Sequence, residues 1–280
     1  MHTPAKTNFY LTVGSERECD HRHEIRTLFV PVLSLADEVS VRPSPTPGIT
    51  VECTGRPITG LPTPEDNLAV RAAELFCIAY DLPPAFHISI HKRIPVSAGL
   101  GGGSSDAAAT LLELRRITGI PADAGQLWSL ARSLGADVPY FLNPCTAMAT
   151  GIGDIITEVG IGARYDLVIA YPGFPSPASW AYQNFLRPPQ ATPPDWDHLS
   201  DALGDIRSLS EIIFNDLQFA LRRKFPILEM IIAAMRHCDC VLNAAVSGSG
   251  SSCFALCLPG SADAVRRQLR PRLPSMVELL

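Results

Sequence analysis

The chain has 280 residues, 46% hydrophobic and 18% charged, enough to bury a sizeable core in one large or two modest domains. A net charge of −5 and a pI of about 5.8 argue against a dedicated nucleic-acid binder, which carries a basic face, but leave room for a small anionic ligand. The start, Met-His-Thr-Pro-Ala-Lys, has no apolar signal core, and no run reaches the ~18 apolar residues of a membrane span, so a soluble, cytoplasmic protein is expected.

Residues 8–13 read as an apolar strand, followed by a polar turn over 14–23. Strand patterns resume over 24–33, 37–41 and 49–53, the last two separated by a Pro/Gly turn. Leu68, Ala72, Leu75 and Ala79 share one face of a predicted helix over 67–80. Residues 86–90 alternate as a half-buried strand does. A glycine-rich run leads into a predicted helix over 105–118, and a second helix over 126–134 ends at Gly135. Strands are predicted over 147–151 and 166–171. The proline-rich stretch 172–194 reads as an ordered loop with a short helix near 179–185. Helices over 209–222 and 227–237, strands over 241–247 and 253–258 around a second glycine-serine turn, and a helix over 262–269 complete the chain. There is no internal repeat or low-complexity tail. The mixed order predicts an α+β protein with a soft boundary near 155–165.

Eight cysteines stand at 19, 53, 77, 145, 238, 240, 253 and 257 with no CxxC pair, so buried free thiols are expected. His237-Cys238-Asp239-Cys240 matches no standard zinc spacing. Of the 23 basic residues only Lys6, Lys92 and Lys224 are lysine.

The most informative run is Pro95-Val96-Ser97-Ala98-Gly99-Leu100-Gly101-Gly102-Gly103-Ser104-Ser105-Asp106. Glycines let a backbone take positive φ and approach a ligand closely. The helix that follows offers unpaired N–H groups and the positive end of its dipole, which together suit a polyphosphate. A Walker A loop needs Lys after its last glycine, where this chain has Ser104. The dinucleotide fingerprint needs G-x-G-x-x-G, which Gly99, Gly101, Gly102 and Gly103 do not supply.

The run from Pro95 to Ser105 resembles motif 2 of the GHMP kinases, which include the galactokinase, homoserine, mevalonate and phosphomevalonate kinases. Its triple glycine and Ser-Ser-Asp-Ala-Ala continuation resemble the 4-diphosphocytidyl-2-C-methyl-D-erythritol kinase family of the non-mevalonate isoprenoid pathway. Other segments resemble that family in the same order. They are Ala5-Lys6-Thr7-Asn8, then Gly135-Ala136-Asp137-Val138-Pro139-Tyr140-Phe141-Leu142, Asn215-Asp216-Leu217, and the turn Ser247-Gly248-Ser249-Gly250-Ser251-Ser252. The resemblance implies a two-domain GHMP kinase fold, divided as 1–160 and 161–280. The N-terminal half would be ribosomal protein S5 domain 2-like and the C-terminal half ferredoxin-like, with the active site in the cleft between them. It implies ATP and Mg²⁺ as cofactors, with ligands to the metal left open, a small-molecule substrate, and a monomer or weak homodimer.

The implied chemistry is phosphoryl transfer from ATP to an alcohol, the 2-hydroxyl of 4-diphosphocytidyl-2-C-methyl-D-erythritol. Phosphate charge must be neutralised, the hydroxyl aligned and one proton managed. Asp137, after a Gly-Ala corner, is the candidate base, with Lys6 beside it keeping it ionised and orienting the hydroxyl, and Asn8 ordering the same corner. Pro95 and Gly99–Ser105, that is Gly99, Leu100, Gly101, Gly102, Gly103, Ser104 and Ser105, would wrap the phosphates. The hydroxyls of Ser104 and Ser105 are available to phosphate or Mg²⁺. Asn67 and Lys92 resemble positions near the adenine, a solvated strand end being the other reading of Lys92. Ser247, Gly248, Ser249 and Gly250 form the second turn near the phosphates and are counted, with Ile152, among the substrate contacts.

Two departures bear on the cytosine. Where the family has Asp-Gly-Tyr-His-Glu, this chain has Asp20-His21-Arg22-His23-Glu24. His23 is kept to bond the base. Arg22 replaces the aromatic and either stacks on the ring, pairs with a diphosphate, or is a surface arginine. Pro177-Ala178 replaces Ser-Thr, leaving Ser176 or Ser179 to supply a hydroxyl. Tyr182 keeps an aromatic that either meets the cytosine or packs in the core. A GHMP kinase for another alcohol, and a nucleotide sensor without chemistry, are the rival readings.

Overall fold

The computed structural model describes residues 1–56 and 66–280. The described chain forms two compact units, one made of 1–6, 31–96 and 101–144, the other of 7–30, 97–100 and 145–280. They interleave along the sequence. The reason is that two long strands, β1 (His2–Glu16) and β2 (His23–Pro43), each give residues to both units. β2 joins the two predicted stretches 24–33 and 37–41, since no glycine or asparagine stands between Leu33 and Asp37 to turn the chain.

In the first unit β3 (Gly48–Gly55) runs parallel to β4 (Ala85–Lys92), and β4 pairs antiparallel with β2 from Glu38–His91 to Pro43–Phe86. Three helices accompany these strands: α1 (Leu68–Ala79), α2 (Gly102–Thr118) and α3 (Ala124–Leu134). Each boundary has a local cause. The side chain of Asn67 accepts from Ala69 N at 2.9 Å and caps α1. Gly119, at φ 68°, ends α2, and Asp123 with Gln126 forms a capping box on α3. α1 and α2 pack together, and the residues they bury include Ala69, Ala72 and Ala73 on α1 and Ala107, Ala108 and Leu111 on α2.

In the second unit β5 (Ala147–Thr150) and β6 (Ile155–Glu158) form a hairpin, with β5 beside Thr27–Phe29 of β2. β6 is a short strand that the sequence pattern does not signal. A separate four-stranded antiparallel sheet has the order β11 (Glu278–Leu279), β7 (Asp166–Tyr171), β10 (Cys253–Cys257), β9 (Val241–Val246). Its apolar face is covered by Leu217, Leu221, Leu228, Ile231, Ile232, Met235, Val265 and Leu269.

The predicted helix over 209–222 is instead three elements. They are α5 (Ile206–Glu211), β8 (Phe214–Asn215), parallel to β1 at Tyr10 and Leu11, and α6 (Leu217–Lys224). Asn215 and Asp216 break the helix because their side chains bond backbone outside it. α4 (Ala178–Gln183), α7 (Pro226–Arg236) and α8 (Ala262–Leu269) match prediction. Cys77, Cys238, Cys253 and Cys257 are buried free thiols. No helix among the described residues is long and apolar enough to cross a membrane.

Candidate active site

α3 stops at Leu134 because Gly135 leaves the helix, and the turn over 135–138 is closed by Val138 N donating to Gly135 O at 3.2 Å. Asp137 sits on that turn with a third of its side chain exposed, and the ammonium of Lys6 lies 3.3 Å from its Oδ2. Lys6 comes from β1, where only 7% of its side chain is exposed. The stem of Lys6 and the ring of Phe141 both press on Gly101. A Cβ there would lie 2.7 Å from Phe141 Cζ and 3.1 Å from Lys6 Cγ. Gly101 also holds φ 74° as the residue before α2, so glycine is required twice over. Beyond it, the N–H groups of Gly102, Gly103 and Ser104 have no carbonyl one turn back in the helix. Unit 1 thus places an ion pair beside an anion-attracting helix start.

Ser105 is used otherwise than predicted. It is wholly buried; its hydroxyl donates to Pro4 O at 2.7 Å and lies 2.5 Å from Thr3 Oγ1. It fastens the first turn of α2 to β1 just ahead of Lys6, so of the two serines only Ser104 is left with a partly exposed side chain.

The structure also excludes a solvated Lys92. This residue is 5% exposed, and its ammonium bonds both Asp37 and Asp106, the latter at 2.6 Å. Asp37 further accepts from Arg93 N at 2.6 Å and Ile94 N at 2.8 Å, whereas Asp106 Oδ1 has no hydrogen-bond partner among the described residues. Two carboxylates share one ammonium. Burial, helped by Asp37, pushes Asp106 up to about 7 against the pull of Lys92. Burial alone would lower Lys92, but the charges and hydrogen bonds of Asp106 and Asp37 outweigh it and the net shift is upward. The cluster underlies α2: a Cβ on Gly102 would be 3.5 Å from Lys92 Nζ. Cys53 lies in the field of the same three groups and its thiol is raised, chiefly by burial.

In unit 2, Gly99 meets the second glycine turn backbone to backbone. A Cβ on Gly99 would be 2.1 Å from Ser247 O and 2.8 Å from Gly250 N. Ser247 Oγ donates to Gly99 O at 2.9 Å, and Ser252 N donates to Ala98 O at 3.0 Å. Gly99, Ser247, Gly248 and Gly250 are therefore one packed group, with Ser249 on its rim.

A second group in unit 2 gathers His23, Tyr182 and Phe185. The His23 ring stacks with Tyr182 at 6.3 Å and 16°, and meets Phe185 edge-on at 5.3 Å. His23 Nδ1 is 3.2 Å from Gly14 O. Tyr182 and Phe185 also back onto the second-unit core, so Tyr182 takes the core-packing role, one of the two left open by the sequence. Arg22 lies exposed on the turn where its carbonyl accepts from Arg17 N. Ile152 is on the 151–154 turn, tied to β2 by Ile25 N donating to Gly151 O at 2.7 Å. Asn8 is buried in β1 and donates to Thr27 Oγ1 at 2.7 Å. Ser176 is buried and Ser179 exposed, so Ser179 is the hydroxyl of that pair that faces outward.

Sequence reasoning missed Phe185, Phe141, Asp106 and Asp37 as members of these groups. It noted Asn215 and Asp216 only as a short signature. Asp216, wholly buried, accepts from Val13 N at 2.7 Å and pairs with Arg187, whose Nε is 2.6 Å from Oδ1. The signal available was local: two amide- or acid-bearing residues interrupting an otherwise helical pattern.

The fold and the two glycine turns are those of a GHMP kinase. The family description "GHMP kinases N terminal domain" matches residues 67–144 and "GHMP kinases C terminal" matches 199–274. The 4-diphosphocytidyl-2-C-methyl-D-erythritol kinase of Geobacter metallireducens is 34% identical over 262 residues, covering 91% of this chain and 88% of that protein. Its counterpart in Mycolicibacterium gilvum is 38% identical, covering 94% and 83%. A crystal structure of 4-(cytidine 5'-diphospho)-2C-methyl-D-erythritol kinase superposes with a TM-score of 0.80 at 34% identity, covering 100% of this chain and 97% of that one. The chain belongs to the 4-diphosphocytidyl-2-C-methyl-D-erythritol kinase family.

Proposed function

We propose that the protein transfers the γ-phosphoryl group of ATP to the 2-hydroxyl of 4-diphosphocytidyl-2-C-methyl-D-erythritol, in the non-mevalonate route to isoprenoid precursors. The observation that carries this reading is the Lys6–Asp137 pair at 3.3 Å, held beside Gly101 at the start of α2. Asp137 accepts the hydroxyl proton as the oxygen bonds to phosphorus and the bond to ADP breaks. An aspartate is a weak base, so its main contribution is to align the hydroxyl. Lys6 holds the carboxylate and offsets charge on the transferring group. The N–H groups of Gly102, Gly103 and Ser104 and the dipole of α2 receive the phosphates. His23, Tyr182 and Phe185 form an apolar, flat-sided group of the kind that takes a nucleobase, which supports a cytidine-bearing acceptor.

Among the described residues no group of three His, Cys, Asp or Glu side chains is placed to hold a metal. Mg²⁺ keeps most of its shell as water and phosphate oxygen and needs only one or two protein ligands, a demand that the partly exposed hydroxyl of Ser104 fits. Bound there with ATP, it would neutralise phosphate charge. Eight free cysteines suit the reducing, ATP-supplied cytoplasm.

Phosphorus NMR of the protein with Mg-ATP and the proposed acceptor tests the reading. The expected result is a new phosphomonoester signal that grows with ADP. ATP bound but unconsumed, with homoserine or mevalonate consumed instead, would overturn it.

A further inference from the structure

Asn215 is wholly buried, and its amide is spent on backbone. Nδ2 donates to Val246 O and to Gly248 O, each at 2.8 Å, and Oδ1 accepts from Leu217 N at 2.9 Å. The two carbonyls flank Ser247, the residue whose hydroxyl holds Gly99 and whose carbonyl Gly99 packs against. Asn215 is itself fixed. It lies opposite Leu11 in the β1–β8 pairing, and the N–H of the next residue, Asp216, donates to Leu11 O at 2.9 Å. A continuous set of bonds therefore runs from β1 through β8 and the Asn215 amide to the 247–250 turn, and from there to Gly99.

The amide is chemically specific at this place. Two carbonyl oxygens need a two-hydrogen donor, while Leu217 N needs an acceptor, and only an amide of this length offers both. An aspartate has the same shape and still accepts from Leu217 N, but turns an oxygen toward two carbonyl oxygens. We infer that Asn215 is a positioning residue for phosphoryl transfer, whose amide holds the 247–250 turn in register with Gly99 at the head of the glycine loop. The inference rests on the kinase reading above. Releasing the turn displaces Gly99, and with it the loop backbone that must face the phosphates. A misplacement of about 1 Å costs on the order of 10²-fold in rate.

Asn215→Asp and Asn215→Ser are compared with Val265→Ala, a truncation in the buried face of α8 that lowers stability without touching either turn. For each, kcat, KM for Mg-ATP and melting temperature are measured well below the melting transition. Both Asn215 variants are expected to lose kcat/KM by about 10²-fold, mainly in kcat. Val265→Ala is expected to melt earlier with kcat and KM unchanged. The serine variant supplies the result if the aspartate variant does not fold. Asn215 variants that melt earlier yet keep the parental kcat and KM per folded molecule would overturn the positioning role. A parent protein that forms no phosphomonoester would instead bring down the kinase reading, and the positioning role with it.

Discussion

Lys6 Nζ lies 3.3 Å from Asp137 Oδ2, a pair made by the first strand of the chain and the turn after its third helix. Lys6 is buried along its stem and Asp137 is partly open, so the pair presents its carboxylate edge outward while the ammonium is held from within. With a third of the Asp137 side chain exposed, solvent screens the pair and limits its contribution to stability. Its value is in orienting one oxygen.

Asp137→Asn removes the proton acceptor and keeps the shape. Turnover is expected to fall by about 10²–10⁴-fold, the usual contribution of a positioned acid or base. Mg-ATP affinity, read by calorimetry, should stay within about threefold because the helix start is untouched. Parental turnover would remove Asp137 from the role of base.

The glycines differ in tolerance, and alanine substitutions separate them. Gly103 has only Leu68 Cδ1, at 3.8 Å, near an added Cβ, so Gly103→Ala should melt within a few degrees of the parent. Gly101→Ala meets the Phe141 ring at 2.7 Å and an unfavourable φ of +74°, and should lose about 1–3 kcal/mol. Trimming the ring in Gly101→Ala/Phe141→Leu should restore part of that loss. Gly99→Ala faces fixed backbone at 2.1 Å, where no side-chain change gives relief. Equal melting temperatures for all three variants would contradict these placements.

The Lys92 cluster gives a pH signature. Asp106 has its folded pKa raised from 3.8 to about 7, so the folded state holds that proton more tightly than the unfolded chain does. Its contribution to stability is complete below about pH 4 and is lost as pH rises through about 7. The stability of the parent minus that of Asp106→Asn, from urea melts, should therefore fall between pH 5 and pH 8, by on the order of 1–3 kcal/mol. A difference that rises with pH would show Asp106 charged throughout. Lys92→Met should be worse than Asp106→Asn, losing about 3–5 kcal/mol by leaving buried carboxylates without a cation.

Arg187 ties the segment after α4 to buried Asp216. Arg187→Ala should destabilise by about 2 kcal/mol, since among the described residues Asp216 then keeps only Val13 N as a donor. Arg187→Ala/Asp216→Asn should recover part of this. Additive losses in the double variant would mean that the two side chains act independently.

Tyr182→Ala and Phe185→Ala test the aromatic group. Each should raise KM for the cytidine-bearing acceptor by about 10-fold or more, as loss of one stacking face does, and leave KM for Mg-ATP unchanged. Equal changes in both constants would place the group outside acceptor recognition.

Much of this protein is legible in the sequence because much of it is decided locally. Glycines at 99 and 101 take positive φ and those at 102 and 103 open the helix that follows, and the short motifs around Lys6 and Asp137 carry the family. The boundaries at Asn67, Gly119, Asp123 and Gly135 follow from caps within three or four residues. What the sequence could not decide was which distant groups would share a buried place. Lys92 reads as a strand-end cation until Asp37 and Asp106 arrive from β2 and α2. Ser105 reads as a free hydroxyl until β1 covers it, and 209–222 reads as one helix until Val246, Gly248 and Leu11 claim Asn215 and Asp216. Those assignments depend on desolvation and on partners far along the chain, and only the tertiary structure supplies both.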